Sequence, residues 1–545
     1  MNPLVLLILD GWGIGPPGPG NAISLSHLEH IPKLWNSYPH TQLSAAGEAV
    51  GLPPNEDGNT ETGHLNIGAG RVVYQDLPRI NMAITDGTFF KNDAFIAAIR
   101  FAKQHSSNLH ILGLLSDSGV HANCDHLYAL LALVEKEAKD IPVYLHLFTD
   151  GRDSPPQAGG QFVAEVEDMC RRIGVGKIAT IMGRYFAMDR DLRWDRTEKA
   201  YDSLTAIPLK TAASAKAAVN QAYAEKMTDE FIEPIGILDS SGHALPRIGT
   251  NDAVIFYNYR IDRPRQLTRA FVLPNFESEV PPPSFDPYAV KYYHKHIVEE
   301  SDQSKPFIRK VVLANLFFVT MTEYDRHLPV TVAFPPQRVH NPIGKALSEE
   351  NIRQLRVSET EKERFVGYYF NGQRGELYPG EDRMIIPSPK VATYDLKPEM
   401  SAWELTDKLL ERLNLHVYNF VVVNFANPDM VAHTGNIPAA IKACEITDTC
   451  VGRIVRQVLA LGGTCVITAD HGNVEEMLGP DGSMDTEHSQ YPVPFIIIDH
   501  MFEGYPQILP KGKLADIAPT ILSHMRLRIP TEMTGKNLLV DMPML

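Results

Sequence analysis

Acidic and histidine residues recur where apolar strands stop, and they come from both ends of the chain. Asp10 closes the run Pro3–Leu9. Asp429 and His433 follow Asn419–Phe425, in Asn427-Pro-Asp429-Met-Val-Ala-His433. Asp470 and His471 close Gly463–Ala469, and His488 shortly precedes Pro492–Ile498. In an open α/β sheet, ligands bind beyond the carboxyl ends of the strands. Three carboxylates and three imidazoles delivered to that edge have the donor set of a metal site. Mixed Asp and His donors suit Mn, Zn or Fe better than Ca or Mg. For residue 10 to share an edge with residues 429–488, one domain must be built from both termini.

The rest of the chain supports an α/β class with two α/β domains and mainly parallel central sheets. Strand-like runs at Leu109–Leu115, Val143–Phe148, Lys177–Met182 and Ala253–Tyr259 alternate with amphipathic stretches such as Asp125–Ala138 and Gln157–Ile173. Such alternation indicates parallel strands with covering helices. At 545 residues the chain exceeds one ordinary core. Residues 274–305 contain Pro281-Pro282-Pro283, Pro287 and Glu299-Glu300-Ser301-Asp302, which reads as a linker or surface insertion. A second junction falls near Asp76-Leu77-Pro78. The expected organisation is a domain of 77–309 inserted into a discontinuous domain of 1–76 and 310–545.

The inserted segment carries arginines at its strand ends. Ser116–His121, Asp150-Gly-Arg152-Asp153, Gly183-Arg184 through Arg190, and Tyr259-Arg260-Ile-Asp262-Arg263 bring five arginines and His121 toward one edge. The guanidinium fork matches carboxylate and phosphate oxygens in pairs, so a small substrate bearing both groups would use the cluster. The plainer reading is a solvated face whose arginines pair with Asp117, Asp153, Asp189 and Asp262. It accounts for any one arginine better than for all five. The formal net charge of −15 argues against general nucleic-acid binding but allows a local anion site. No apolar run reaches the ~18 residues of a membrane helix, and the first strand lacks the flanks of a signal peptide. Five scattered cysteines suit a reduced, cytoplasmic protein better than a disulfide framework. Nothing demands more than a monomer.

Two further stretches bear on chemistry. Gly13-Ile-Gly15-Pro-Pro-Gly18 matches a dinucleotide-loop spacing, but Pro16 and Pro17 lack the N–H groups such a loop needs. It reads as a turn-rich loop. In Asp57-Gly-Asn-Thr60-Glu-Thr62-Gly-His64, Thr60 opens a helix between glycines. Its hydroxyl is either a metal-activated nucleophile or simply the helix N-cap.

Taken together, the motifs resemble the cofactor-independent phosphoglycerate mutase family, the type that needs no 2,3-bisphosphoglycerate. The resemblance runs through Leu-Asp10-Gly-Trp-Gly, Gly58-Asn-x-Glu-x-Gly-His64-Leu-Asn-Ile-Gly-Ala-Gly-Arg71, Gly119-Val-His121, Asp150-Gly-Arg-Asp153 and Gly183-Arg-Tyr-Phe-Ala-Met-Asp-Arg190. It continues through Met321–Asp325, Glu359-Thr-Glu-Lys362, Pro387–Asp395, Asn427–His433 and Thr468-Ala-Asp470-His471-Gly-Asn. The metal motifs alone would indicate only the wider alkaline-phosphatase-like superfamily. The resemblance implies an alkaline-phosphatase-like metal domain with an inserted substrate-binding domain, cytoplasmic and glycolytic, that interconverts 3-phosphoglycerate and 2-phosphoglycerate. It implies two divalent ions, Mn²⁺ before Mg²⁺ or another ion. Asp429, His433 and His488 would hold one. Asp10, Asp470, His471 and Thr60 would hold the other. Thr60 would form the phospho-enzyme, while His121, Arg152, Asp153, Arg184, Arg190, Arg260 and Arg263 retain glycerate and Lys362 contacts phosphate. Domain closure would exclude water.

The sequence departs from the family in two places. The family nucleophile is serine in Gly-Asn-Ser-Glu-Val-Gly-His, whereas Thr60 and Thr62 stand here in place of Ser and Val. Threonine keeps the hydroxyl but adds a methyl group and stiffer rotamers. Residues 274–305 also exceed the family's usual connection. The alternatives to a mutase are a metal-dependent phosphohydrolase on the same core and an inactive metal-binding relative.

Overall fold

The computed structural model describes residues 2–206, 210–278, 305–540 and 542. They form two compact units, one of Met1–Pro78 with Gln337–Leu545 and one of Arg79–Pro336.

The first unit is built on eight strands in the spatial order Glu381–Ile386, Gln354–Glu359, Phe420–Phe425, Leu4–Leu9, Thr464–Thr468, Val493–Ile498, His40–Ser44 and Gly512–Lys513. Its first five strands are mutually parallel, and Val493–Ile498 runs antiparallel to its neighbours. Leu4–Leu9 is fully buried between Phe420–Phe425 and Thr464–Thr468, which explains a first strand with no polar alternation. The 24-residue helix Ile437–Ala460 starts where the Asn436 side chain accepts from Ala439 N–H, with Pro438 in its first turn. It packs on the sheet with Ala402–Leu413.

The second unit has its own sheet, in the order Thr331–Phe334, Phe317–Thr322, Ala253–Phe256, Leu109–Leu115, Val143–Thr149, Lys177–Gly183, Ile235–Ile237 and Thr211–Ala212. Its first six strands are parallel. The helices Cys124–Ala138 and Gly159–Ile173 fall close to the expected amphipathic stretches.

Both boundaries differ from expectation. Phe317–Thr322 pairs with Ala253–Phe256, and Thr331–Phe334 pairs with Phe317–Thr322, so the return to the first unit falls at 336/337 rather than 309/310. The first junction is 78/79 instead of 76/77. An apolar strand suits either sheet, and only its pairing decides. Most of the expected insertion at 274–305, residues 279–304, lies outside the described residues. Its flanks are held: the Phe276 and Phe307 rings lie 5.0 Å apart, and Arg309 donates to the carbonyls of Ala270, Leu273 and Pro274. All five cysteines are free and buried. Among the described residues, no helix is long and apolar enough to cross a membrane.

Candidate active site

In the first unit, four adjacent parallel strands deliver charged groups to one edge. Asp10 follows Leu4–Leu9, Asp429 follows Phe420–Phe425, Asp470 and His471 follow Thr464–Thr468, and Lys362 lies in the turn after Gln354–Glu359. Asp429 and His433 are one helical turn apart around Asn427–Ala432, with His433 Nε2 3.2 Å from Asp429 Oδ1. His488 Nε2 lies 3.2 Å from His433 Nε2 and 3.6 Å from Asp429 Oδ1. His471 Nε2 lies 3.4 Å from Asp10 Oδ1. Asp10, Asp470 and His471 are closed from solvent, whereas the His433 side is open.

Thr60 is the first residue of the helix Thr60–Ala69, but it is not the cap. Asn59 holds extended backbone angles and its side chain accepts from Thr62 N–H at 2.9 Å. Thr62 Oγ1 also turns back to Asn59. Thr60 Oγ1 is therefore left to the cluster, 2.8 Å from His471 Nε2, and accepts from Lys362 Nζ at 3.2 Å.

Lys362 Nζ donates to Asp10 Oδ1 and Asp429 Oδ2, each at 2.7 Å. Burial opposes its charge, but Asp10, Asp429 and Asp470 hold its pKa well above the ordinary value. Burial likewise opposes charge on His471, yet Asp470, Asp10 and Asp429 raise it to about 10. His488 is pushed down to about 3 by burial and by the neighbouring His471.

The donor set fits divalent metal ions. Three groups of side chains bring ligand atoms within 4.8 Å of one another among the described residues: Asp429 with His433 and His488, Asp10 with Asp429 and His471, and Asp10 with His64 and Asp470. Asp470 Oδ1 is buried without a hydrogen bond among the described residues, and Asp470 Oδ2 faces His64 Nδ1 at 3.2 Å and His471 Nε2 at 3.6 Å. Buried carboxylate oxygens in that state are costly unless a cation completes them.

In the second unit, the expected residues also converge at the ends of neighbouring parallel strands. Arg184, buried after Lys177–Gly183, donates to Asp150 Oδ1 at 2.6 Å and to Asp153. Asp262 binds Arg190 at 2.7 Å and Arg260 at 3.2 Å. His121 lies 3.7 Å from both Asp153 and Asp262. Burial, then the charge of Arg184, lower its pKa to about 4, leaving it neutral at pH 7. Arg263 donates to the Met188 carbonyl. Arg152, Arg184, Arg190 and Arg263 line a cavity of about 270 Å³ with Tyr185 and Phe231. Aspartate pairing is thus real, as the plainer reading expects, but Arg152 and Arg190 remain about half exposed at the cavity, and Arg260, paired with Asp262, is about half exposed as well. Asp189 pairs with Arg196, outside the predicted five.

A family model described as the BPG-independent PGAM N-terminus matches residues 80–326. The 2,3-bisphosphoglycerate-independent phosphoglycerate mutase of Moorella thermoacetica is 48% identical over 539 residues, covering 99% of this chain and 98% of that protein. Its namesake from Chloroflexus aggregans is 48% identical over 544 residues, 99% of each chain. The chain belongs to the 2,3-bisphosphoglycerate-independent phosphoglycerate mutase family. Among solved structures, phosphoglycerate mutase of Leishmania mexicana at low cobalt concentration matches with a TM-score of 0.53 and 27% identity, over 98% of this chain and 97% of that one. Members of this mutase family are isomerases, and so is this chain.

Residues that carried no role in the sequence surround the carboxylates of this family member. Asn424 donates to Asp10 Oδ2 at 2.6 Å, and Asn473 donates to Asp429 Oδ1 at 2.8 Å. His64 Nδ1 faces both the Thr60 carbonyl, at 3.0 Å, and Asp470. Partners of this kind orient metal ligands. His64 and Asn473 lie inside the motifs, and Asn424 is the polar residue in an otherwise apolar strand, which was the available signal.

Proposed function

We propose that Thr60 carries the phosphoryl group while this isomerase interconverts 3-phosphoglycerate and 2-phosphoglycerate. The reaction is that of the family; the residue roles are our own reading. Thr60 Oγ1 gives up its proton and attacks phosphorus, the bond from phosphorus to the substrate's C3 oxygen breaks, and that oxygen takes up a proton to become the glycerate hydroxyl. Glycerate stays bound and turns, and its C2 oxygen attacks the phosphothreonine to release Thr60. The reverse reaction retraces these steps.

Asp429, His433 and His488 would hold one divalent ion, and Asp10, Thr60, Asp470 and His471 the other. Mn²⁺, Zn²⁺ and Fe²⁺ suit this donor mixture, and the family resemblance puts Mn²⁺ first. When bound, such ions offset phosphoryl charge and lower the pKa of the attacking hydroxyl. Lys362 adds fixed positive charge beside Thr60 Oγ1. His121, Arg152, Asp153, Arg184, Arg190, Arg260 and Arg263 bind glycerate, with paired guanidinium N–H groups on its carboxylate. The protein acts in the cytoplasm on a small-molecule substrate, without 2,3-bisphosphoglycerate and as a monomer.

The observation that carries this reading is the freedom of the Thr60 hydroxyl: Asn59 caps the helix, and Thr60 Oγ1 faces His471 and Lys362. The test is mass spectrometry of protein quenched with 3-phosphoglycerate and Mn²⁺, seeking phosphate on the peptide spanning Asp57–Arg71. Phosphate on Thr60 with 2-phosphoglycerate in solution supports the mechanism. Turnover without it overturns the covalent step, and release of inorganic phosphate alone marks a phosphohydrolase.

A further inference from the structure

Glu475 is buried in the first unit and is neither a metal ligand nor near a strand end in the sequence pattern. One of its carboxylate oxygens accepts from Gly13 N–H at 2.8 Å and from Asn473 N–H at 3.0 Å. The other accepts from the Ser489 hydroxyl. These three donors belong to three different ligand-bearing segments. Gly13 follows Asp10, Asn473 follows Asp470 and His471, and Ser489 directly follows His488. Asn473 extends the connection through its own side chain to Asp429 Oδ1. The same carboxylate explains two glycines. A methyl group at Gly13 or at Gly472 would overlap Glu475, so the two loops close on it only where no Cβ exists.

We propose that Glu475 is a positioning residue that sets the spacing of the metal ligands by tying the Asp10, Asp470–His471 and His488 segments to one carboxylate. This rests on the reading that those residues hold metal. The role depends on reach: from the Asp470–His471 segment, where it bonds Asn473 N–H locally, the carboxylate must also meet donors on the Asp10 and His488 segments. Charge is secondary, because an amide can supply one acceptor oxygen for the two N–H groups and an N–H donor for Ser489 Oγ.

The test compares Mn²⁺ affinity by calorimetry on chelator-stripped wild type, Glu475→Gln, Glu475→Asp and Ser489→Ala, with metal-free melting followed by circular dichroism. Asp10→Asn and His488→Ala run in parallel. Glu475→Gln is expected to bind Mn²⁺ within about threefold of wild type. Glu475→Asp keeps the charge but is one methylene short, and is expected to bind about 10–100-fold more weakly. Ser489→Ala, which removes one tie, is expected to weaken binding by about three- to tenfold. A role confined to folding would lower the metal-free melting temperature and leave Mn²⁺ affinity unchanged. Unchanged affinity in Glu475→Asp therefore overturns the proposal. If that variant does not fold, unchanged affinity in Ser489→Ala overturns it instead. Loss of affinity in Asp10→Asn and His488→Ala without loss in the Glu475 and Ser489 variants removes this inference alone. Wild-type affinity in the ligand variants removes the metal reading, and the inference with it.

Discussion

Asn59 and Thr60 divide two tasks that a helix N-terminus can give to one residue. The sequence leaves Thr60 open as either the cap or a nucleophile, since threonine suits both tasks. The backbone decides: Asn59 is extended and Thr60 is already helical. Thr60→Ala should therefore abolish turnover in a coupled mutase assay, with the melting temperature close to wild type and metal still held by the remaining Asp and His ligands. Thr60→Ser should keep activity and can raise it, because serine lacks the methyl that restricts the rotamer. Asn59→Ala should do the reverse, costing about 0.5–2 kcal/mol in denaturant unfolding. Arg260 belongs to the half-exposed side of the arginine cluster. Its replacement by alanine should leave Mn²⁺ affinity alone and cost about 1.5–3 kcal/mol in kcat/KM for phosphoglycerate. Inorganic phosphate should then accumulate, as glycerate escapes before the phosphoryl group returns. Wild-type kinetics with no phosphate release would take Arg260 out of the site.

The strands matter as delivery devices. Gln354–Glu359 ends on Glu359, which is buried and accepts from Ser401 N–H at 2.9 Å, with its second oxygen unpartnered among the described residues. Burial raises its pKa from 4.5 to about 7. The folded state thus holds this proton more tightly than the unfolded state. The associated stability is fully present below pH 4.5 and is lost as pH rises through about 7. The loss amounts to about 3 kcal/mol by linkage. Urea unfolding at pH 5 and pH 8 should show a smaller pH dependence in Glu359→Gln than in wild type. An identical pH dependence in the two proteins would show that Glu359 does not titrate in this range. The strand ends themselves were legible because apolar runs stop abruptly at Asp10, Asp429 and Asp470. Residues 310–336 fall beyond the expected bounds of the second unit, because a short apolar strand such as Phe317–Thr322 carries no label for the sheet it joins.

At the scale of the whole molecule, the first unit is assembled from segments more than 400 positions apart: Leu4–Leu9 pairs with both Phe420–Phe425 and Thr464–Thr468. Its candidate metal centre exists only when both termini are in place. Chelator treatment should abolish turnover, and Mn²⁺ should restore it. Mn²⁺ affinity measured across pH should fall toward acid, because His433, His471 and His488 must be neutral to ligate. Full turnover by protein shown to be metal-free would rule out the metal reading.

The sequence by itself determined the α/β class, the discontinuous first domain, the convergence of the acidic and histidine residues at its strand ends and the arginine edge of the second. These follow from local signals, since strand ends, residue chemistry and motif order are written along the chain. Tertiary structure alone decided that Asn59 caps and Thr60 does not, that Lys362 lies between Asp10 and Asp429, and that residues 310–336 stay with the second sheet. It also revealed Asn424, Asn473 and Glu475 around those strand-end residues. Each of these depends on a hydrogen bond or strand pairing between distant segments, and chain order alone does not specify which distant partner a donor or strand edge meets.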